Sequence, residues 1–241
     1  MTNAVPVRPG LDPAVRAGVM KRLAQVVLSI ALQGAILFVA SGRLDWVMAW
    51  VFIGVSVAVL IVNSILILPK HPDLVAERAS LQRDAKRWDK VLGVFVAGVL
   101  PVVLLTVAGL DKRFAWSPQV PVALQVAVLV LLVLGYALVS WAMVANRFFS
   151  CLVRVQKERG HTVASGGPYR FVRHPSYMGM MTFWLAIPLV LGSLWALVAT
   201  ALIWVGFVVR TIFEDRTLME ELDGYRDYAQ RVWYRLVPGL W

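Results

Sequence analysis

Residues 120–145 read VPVALQVAVLVLLVLGYALVSWAMVA, 26 positions without one charged side chain. A bilayer core needs about 20 consecutive apolar residues, with a range of about 17–25. A surface helix of a soluble domain would show a polar face, and this stretch has none. It reads as a membrane span. Working outward, the segments 23–41, 46–68 and 91–110 qualify before it, and 177–192 and 194–212 after it. The last two share one apolar run, broken at Gly192-Ser193 just after Pro188, and read as a tight helical hairpin. The expected fold is an all-α polytopic membrane bundle of about six transmembrane helices. Residues 1–145 would hold four spans and 146–241 the hairpin with its flanking polar segments.

Composition agrees. The chain is 59% hydrophobic and only 16% charged, against about 25% charged in an average soluble domain. Mean hydropathy is +0.71. A fold of 241 residues could not hide that much apolar surface from water. The first twenty residues lack the apolar core of a cleavable signal peptide, so the first apolar run is expected to be a retained span. The lone cysteine, Cys151, excludes an internal disulfide.

The net charge of +10 could suggest a nucleic-acid partner, but its distribution argues for topology. Counted over alternating connections, 21 Lys and Arg fall on one side and 3 on the other: Arg43, Lys112 and Arg113. The positive-inside rule puts both termini in the cytoplasm. The basic excess then faces anionic headgroups, and no nucleic-acid partner is expected. Trp46 and Trp116 suit interfacial anchors on the poorer side.

Residues 69–90 are polar and rich in helix formers, with Leu74, Val75, Ala79 and Leu81 too sparse for a span. An interfacial amphipathic helix near 72–88 is expected, either as a plain connection or as cover for a cytoplasmic site. Residues 146–176 form the longest polar connection, and a loop of that length is uncommon unless functional. It runs into Gly166-Gly167-Pro168-Tyr169-Arg170-Phe171-Val172-Arg173-His174-Pro175-Ser176-Tyr177-Met178-Gly179. Pro175 excludes His174 from the helical region and can open the next helix. Arg173 and His174 would then sit at a helix start on the cytoplasmic edge, where backbone N–H groups and a guanidinium suit a carboxylate or phosphate. The bland alternative is a set of interface anchors.

After the last span, Glu214 lies four residues beyond Arg210, on the same helical face. It could bind ribose hydroxyls, hold an arginine, or form a solvated surface pair. His161 and His174 are thirteen residues apart with no cysteine partners, so no metal site is expected. No G-x-G-x-x-G or P-loop string is present.

His161-Thr162-Val163, Gly167-Pro168-Tyr169, Arg173-His174-Pro175-Ser176-Tyr177-Met178-Gly179, then Arg210, Glu214-Asp215, Leu218, Tyr225, Tyr228 and Pro238 form a pattern. Over about residues 145–241 it resembles the isoprenylcysteine carboxyl methyltransferase family and, more broadly, phospholipid N-methyltransferase-like membrane proteins. The Asn146–Ser150 and Pro72–Arg78 runs look like those of bacterial members. The resemblance implies an S-adenosylmethionine pocket capped by cytoplasmic loops, with a lipid-side route for a lipophilic or lipidated substrate. It also implies a multi-pass protein of the bacterial inner membrane. Position by position it makes His161, Gly167, Tyr169, Arg173, His174, Pro175, Tyr177 and Glu214 cofactor-pocket candidates. Arg173, His174 and Glu214 become the candidates for contacting or orienting reactants. The family's usual Glu-Glu is Glu214-Asp215 here. The ending Val232–Pro238 also resembles the tail of membrane sterol reductases. That keeps two alternatives in play, an NADPH-dependent membrane reductase and a non-enzymatic scaffold. Candidate residues facing one common cavity would count against the scaffold.

Overall fold

The computed structural model describes residues 12–79 and 85–241, and among these every regular element is helical. α1 (Pro13–Ser41) starts on Asp12, whose carboxylate accepts from the Ala14 N–H at 2.7 Å. Pro13 sits at the first position, where its missing N–H costs nothing. The helix therefore begins a full ten residues before the apolar run at 23–41. α2 is Val47–Ile67 and α3 the short Pro72–Glu77. α4 (Arg87–Gly93), a π-helical segment (Val94–Val99) and α5 (Leu100–Phe114) run on as one rod, Arg87–Phe114. Pro101 stands two residues past the π segment, and it has no N–H to return to the carbonyl four residues back, inside that segment. A local change of helical register absorbs that loss. α6 is Val122–Ala145, α7 Pro175–Leu191, α8 Ala196–Glu221 and α9 Tyr225–Arg231.

Five of these rods are long and apolar enough to cross a membrane. α7 is the sixth apolar helix and has 17 residues, the lower end of the usual length. The protein is thus a polytopic helical membrane bundle. Val130, Val133 and Leu134 of α6, with Val198, Leu202 and Val205 of α8, stay exposed, as lipid-facing positions should. The hairpin turn falls at Gly192, a left-handed residue with φ 74° that closes α7.

Two glycines set the tightest crossing. A Cβ on Gly135 would lie 2.8 Å from the Gly179 carbonyl oxygen, and one on Gly179 would lie 2.7 Å from that of Gly135. α6 and α7 touch backbone to backbone, the small-residue packing by which membrane helices associate. On the far side, buried Asp111 accepts from the Ser117 N–H at 2.7 Å and from the Ser193 hydroxyl at 2.5 Å. That carboxylate ties the α5–α6 loop to the hairpin turn.

The expectation of one interfacial helix across 72–88 is corrected. The helix stops at Glu77, and α4 begins at Arg87. Leu81 and Arg83 lie outside the described residues. Nor does α3 lie loosely on an interface: Leu74 is fully buried, and a Cβ on Gly18 of α1 would come 2.7 Å from the Ala76 Cβ. Close packing on α1 holds this six-residue helix, which is too short to stand alone.

Candidate functional site

The site assembles where the loop after α6, the start of α7 and the end of α8 meet. His174 takes a non-helical backbone (φ −126°, ψ 60°) ahead of Pro175, which opens α7 as its sequence position demands. Two backbone donors just ahead of the helix are occupied. The Arg173 N–H donates to the Tyr234 carbonyl and the His174 N–H to the Arg235 carbonyl, both at 2.9 Å. The C-terminal segment has taken those two, while Ser176, in the first turn of α7, lines the cavity described below.

Asp215 organises the charges. Its carboxylate stands 3.1 Å from Arg173 Nη2, 3.3 Å from His174 Nε2 and 3.0 Å from Arg235 Nε. The Tyr225 hydroxyl donates to the same carboxylate at 2.9 Å. Only 2% of the Asp215 side chain is exposed, so the two arginines compensate a charge that water cannot reach. Glu214, one residue earlier, faces another way and accepts a hydrogen bond from the Tyr177 hydroxyl. Of the alternatives open for Glu214, the solvated pair with Arg210 does not form, and Arg210 is buried against another carboxylate. Arg210 pairs with Asp89 of α4: its Nη2 donates to Asp89 Oδ2 at 3.0 Å and to the Cys151 carbonyl at 2.7 Å, and its Nε lies 2.8 Å from Asp89 Oδ1 as a charge contact without hydrogen-bond geometry. Its guanidinium lies 5.3 Å from the centre of the Tyr177 ring, and the His174 ring stacks on that same ring with centroids 5.7 Å apart.

His161, Tyr169, Arg173, His174, Tyr177 and Glu214 all line one cavity. Asn146, Phe148, Tyr225 and Tyr228 complete its wall. Gly167 and Pro175 do not reach it. Gly167 has φ +57°, and a Cβ there would meet the Ala145 Cβ at 2.9 Å, so it turns the loop against α6 and delivers Tyr169. Pro175 is buried as the first residue of α7. Arg173 lines the cavity with its Nε buried and lacking a hydrogen-bond partner among the described residues. Such an orphaned donor is costly unless something supplies an acceptor.

Protonation is well set. Burial, then the nearby Arg154 and Arg159, push His161 down to about 4, so its ring is neutral at physiological pH. Its Nδ1 accepts the Gln156 N–H at 3.2 Å, and the ring stacks on Phe148 at 4.5 Å. Burial raises Tyr169, Tyr225 and Tyr228, which stay protonated. The Tyr228 hydroxyl donates to the Tyr169 carbonyl at 2.7 Å. The loop is also tied to α3: Arg154 pairs with Glu77 at 2.9 Å and Arg159 with Asp73.

Sequence reasoning passed over Asp215 and Asp89. Asp215 carried a signal, as half of an acidic pair at a membrane edge where uncompensated charge is expensive. Asp89 carried none, since its partner lies 121 residues away.

Residues 127–222 match the isoprenylcysteine carboxyl methyltransferase (ICMT) family. The match spans α6, the loop, the α7–α8 hairpin and the charged end of α8. The chain is 33% identical over 111 residues to protein-S-isoprenylcysteine O-methyltransferase of Schizosaccharomyces pombe, covering 45% of this chain and 47% of that one. It is 30% identical over 107 residues to protein-S-isoprenylcysteine O-methyltransferase B of Arabidopsis thaliana, covering 43% and 54%. It is also 34% identical over 110 residues to cobalt-zinc-cadmium resistance protein CzcN of Cupriavidus metallidurans, covering 42% and 46%. The chain thus spans about half the length of the curated relatives it matches. Asp89, Tyr225, Tyr228 and Arg235 lie outside the ICMT match, yet Asp89 and Arg235 hold residues inside it in place.

Proposed function

We propose that the protein transfers a methyl group from S-adenosylmethionine to a carboxylate on a lipophilic substrate, at the cytoplasmic edge of the membrane. The observation that carries this is the cavity itself, with Arg173 on its wall and the Arg173 Nε buried without a hydrogen-bond partner among the described residues. Supporting it, relatives that match over part of the chain are named O-methyltransferases.

The residues fit such a donor. S-adenosylmethionine, when bound, supplies a methyl group already activated on a sulfonium. Arg173 Nε offers the acceptor-seeking donor that a carboxylate needs. The Glu214 carboxylate suits ribose hydroxyls or the sulfonium charge. The faces of Tyr169, Tyr225 and Phe148 offer surfaces for a purine and, within about 6 Å, cation–π attraction worth about 0.5–2 kcal/mol. A substrate carboxylate is its own nucleophile and needs no base, so the chain's task is alignment and exclusion of water. The cavity measures about 90 Å³, whereas ligand pockets usually run about 300–1,000 Å³. Admission of a nucleoside therefore requires the loop bearing Phe148, Val153 and His161 to swing away from α8.

The arginines on the wall argue against a nicotinamide dinucleotide phosphate. Arg154 and Arg210 are engaged by the carboxylates of Glu77 and Asp89, and Arg173 is held by Asp215 through Nη2, which leaves its Nε for a single acceptor. A pyrophosphate with an extra phosphate would call for spare cations.

In mild detergent, S-adenosylhomocysteine at 100 times its dissociation constant should stabilise the fold by about 2.7 kcal/mol, and NADPH should not. Glu214→Gln should weaken that effect, while Glu220→Gln, at an exposed position on the same helix, should leave it intact. Stabilisation by NADPH with none by S-adenosylhomocysteine would refute the proposal.

A further inference from the structure

A second cavity, of about 460 Å³, lies between α1, α2, α6 and α7 and shares no lining residue with the first. At its cytoplasmic end stand Arg22 of α1 and Arg78, just after α3. The two are close enough to repel each other. Neither has a carboxylate partner among the described residues. Arg22 Nη1 reaches only the Gln25 Oε1 at 3.5 Å. Arg78 Nη1 reaches the Met143 sulfur at 3.5 Å, its guanidinium 5.1 Å from the centre of the Phe149 ring. Two half-buried cations without carboxylate partners, lining the same rim of a groove, favour an anion between them.

The rest of the groove says which anion. Below the arginines its wall is apolar, with Leu60, Ile67, Met180, Phe183, Trp184 and Ile187. From Arg22 down to Gln33, the deepest α1 residue of the lining, is eleven residues. At about 1.5 Å per residue that is about 16 Å, close to the half-thickness of a hydrocarbon core of about 30 Å. The groove is one leaflet deep. On its wall the Asn63 Oδ1 is buried with no donor among the described residues.

We propose that this groove binds an anionic glycerophospholipid of the cytoplasmic leaflet, with its phosphate between Arg22 and Arg78 and an acyl chain along Met180, Phe183 and Trp184. A hydroxyl of the lipid's glycerol headgroup then donates to Asn63 Oδ1. Basic pockets between transmembrane helices on the cytoplasmic side are suited to such headgroups. The lipid would brace α1 and α3 against the α6–α7 pair. The proposal rests on the groove alone and stands or falls apart from the methyl-transfer proposal.

The test is lipid titration of the purified full chain in detergent, followed by native mass spectrometry and thermal unfolding. Phosphatidylglycerol should remain bound and raise the unfolding temperature. Phosphatidylcholine, whose phosphate is already compensated, should do so at least tenfold less effectively. Arg22→Gln and Arg78→Gln should each weaken phosphatidylglycerol binding about fivefold, the loss of about 1 kcal/mol per basic residue. Arg22→Lys and Arg78→Lys should retain it, separating charge from folding. Equal binding of the two lipids, unchanged binding in both Gln variants, or the same stabilisation by inorganic phosphate alone would overturn the proposal.

Discussion

Replacing Asp89 by leucine should destabilise the protein more than any single change on its surface. Asp89 is fully buried, and Arg210 is 7% exposed. Both carboxylate oxygens engage the guanidinium, and Oδ2 also accepts the Val153 N–H at 2.6 Å. Removing the carboxylate leaves a buried cation with the Cys151 carbonyl and the Tyr177 ring but no counter-charge bonded to it, and breaking a buried pair on one side costs about 3–5 kcal/mol. Arg210→Met should cost a similar amount, by stranding the carboxylate instead. The double variant Asp89→Leu/Arg210→Met strands neither charge. It should be far milder than the sum, with a coupling of about 3 kcal/mol, at the top of the range for contacting residues. Unfolding in mixed micelles of mild detergent and dodecyl sulfate, followed by tryptophan fluorescence, gives all four free energies. If the two single losses add to the double within about 0.5 kcal/mol, the pair is uncoupled and the reasoning fails. Ligand binding adds a second readout. Because Arg210 lies against Tyr177, which holds Glu214, S-adenosylhomocysteine affinity should fall in both single variants and should not return in the double.

Gly135→Ala should cost about 1–3 kcal/mol, since its Cβ would sit 2.8 Å from the backbone of Gly179 and of Phe183, while Gly54→Ala, with open space around it, should be neutral or stabilising by up to about 1 kcal/mol in the same unfolding assay. His161, with its folded value depressed to about 4 from 6.5, contributes stability that is full above the unfolded value and is lost as pH falls towards the folded one. Between pH 7 and pH 5 the loss is at most about 2 kcal/mol, reduced to about 1 by partial solvent contact, and His161→Gln should flatten that part of the pH profile. In a Cys151→Ser background, cysteines at exposed positions 45 and 112 should react with impermeant thiol reagents from outside the cell, and one at 157 should not. The reverse pattern would turn the orientation over.

The spans were legible because hydropathy over some twenty residues has few other causes. Helix ends were not, because lipid contact and helix formation have different limits. α1 extends back to Pro13 on the Asp12 cap, through the charged Arg16, Lys21 and Arg22. α8 passes the end of the apolar run at 212 and continues to Glu221 on good helix formers such as Leu218, Met219 and Glu220. The α3 segment failed differently. Its charges suggested a surface, and only the close approach at Gly18 shows it packed on α1.

The extension of α8 is what makes the site. Residues 214 and 215 are neighbours on one helix, so their side chains point about 100° apart. Glu214 turns to Tyr177 and the cavity, whereas Asp215 turns to Arg173, His174, Tyr225 and Arg235. Two adjacent carboxylates thereby take different tasks: Asp215 fixes the segment 173–174 against the C-terminal strap, and Glu214 remains available on the wall. Sequence spacing had singled out Glu214 because it shares a face with Arg210. Yet Arg210 is spoken for by Asp89, from a helix outside the ICMT match. Glu214 therefore lines the cavity with the Tyr177 hydroxyl on its carboxylate and the Arg210 charge held back by Asp89, which is the place the proposed function gives to a sulfonium.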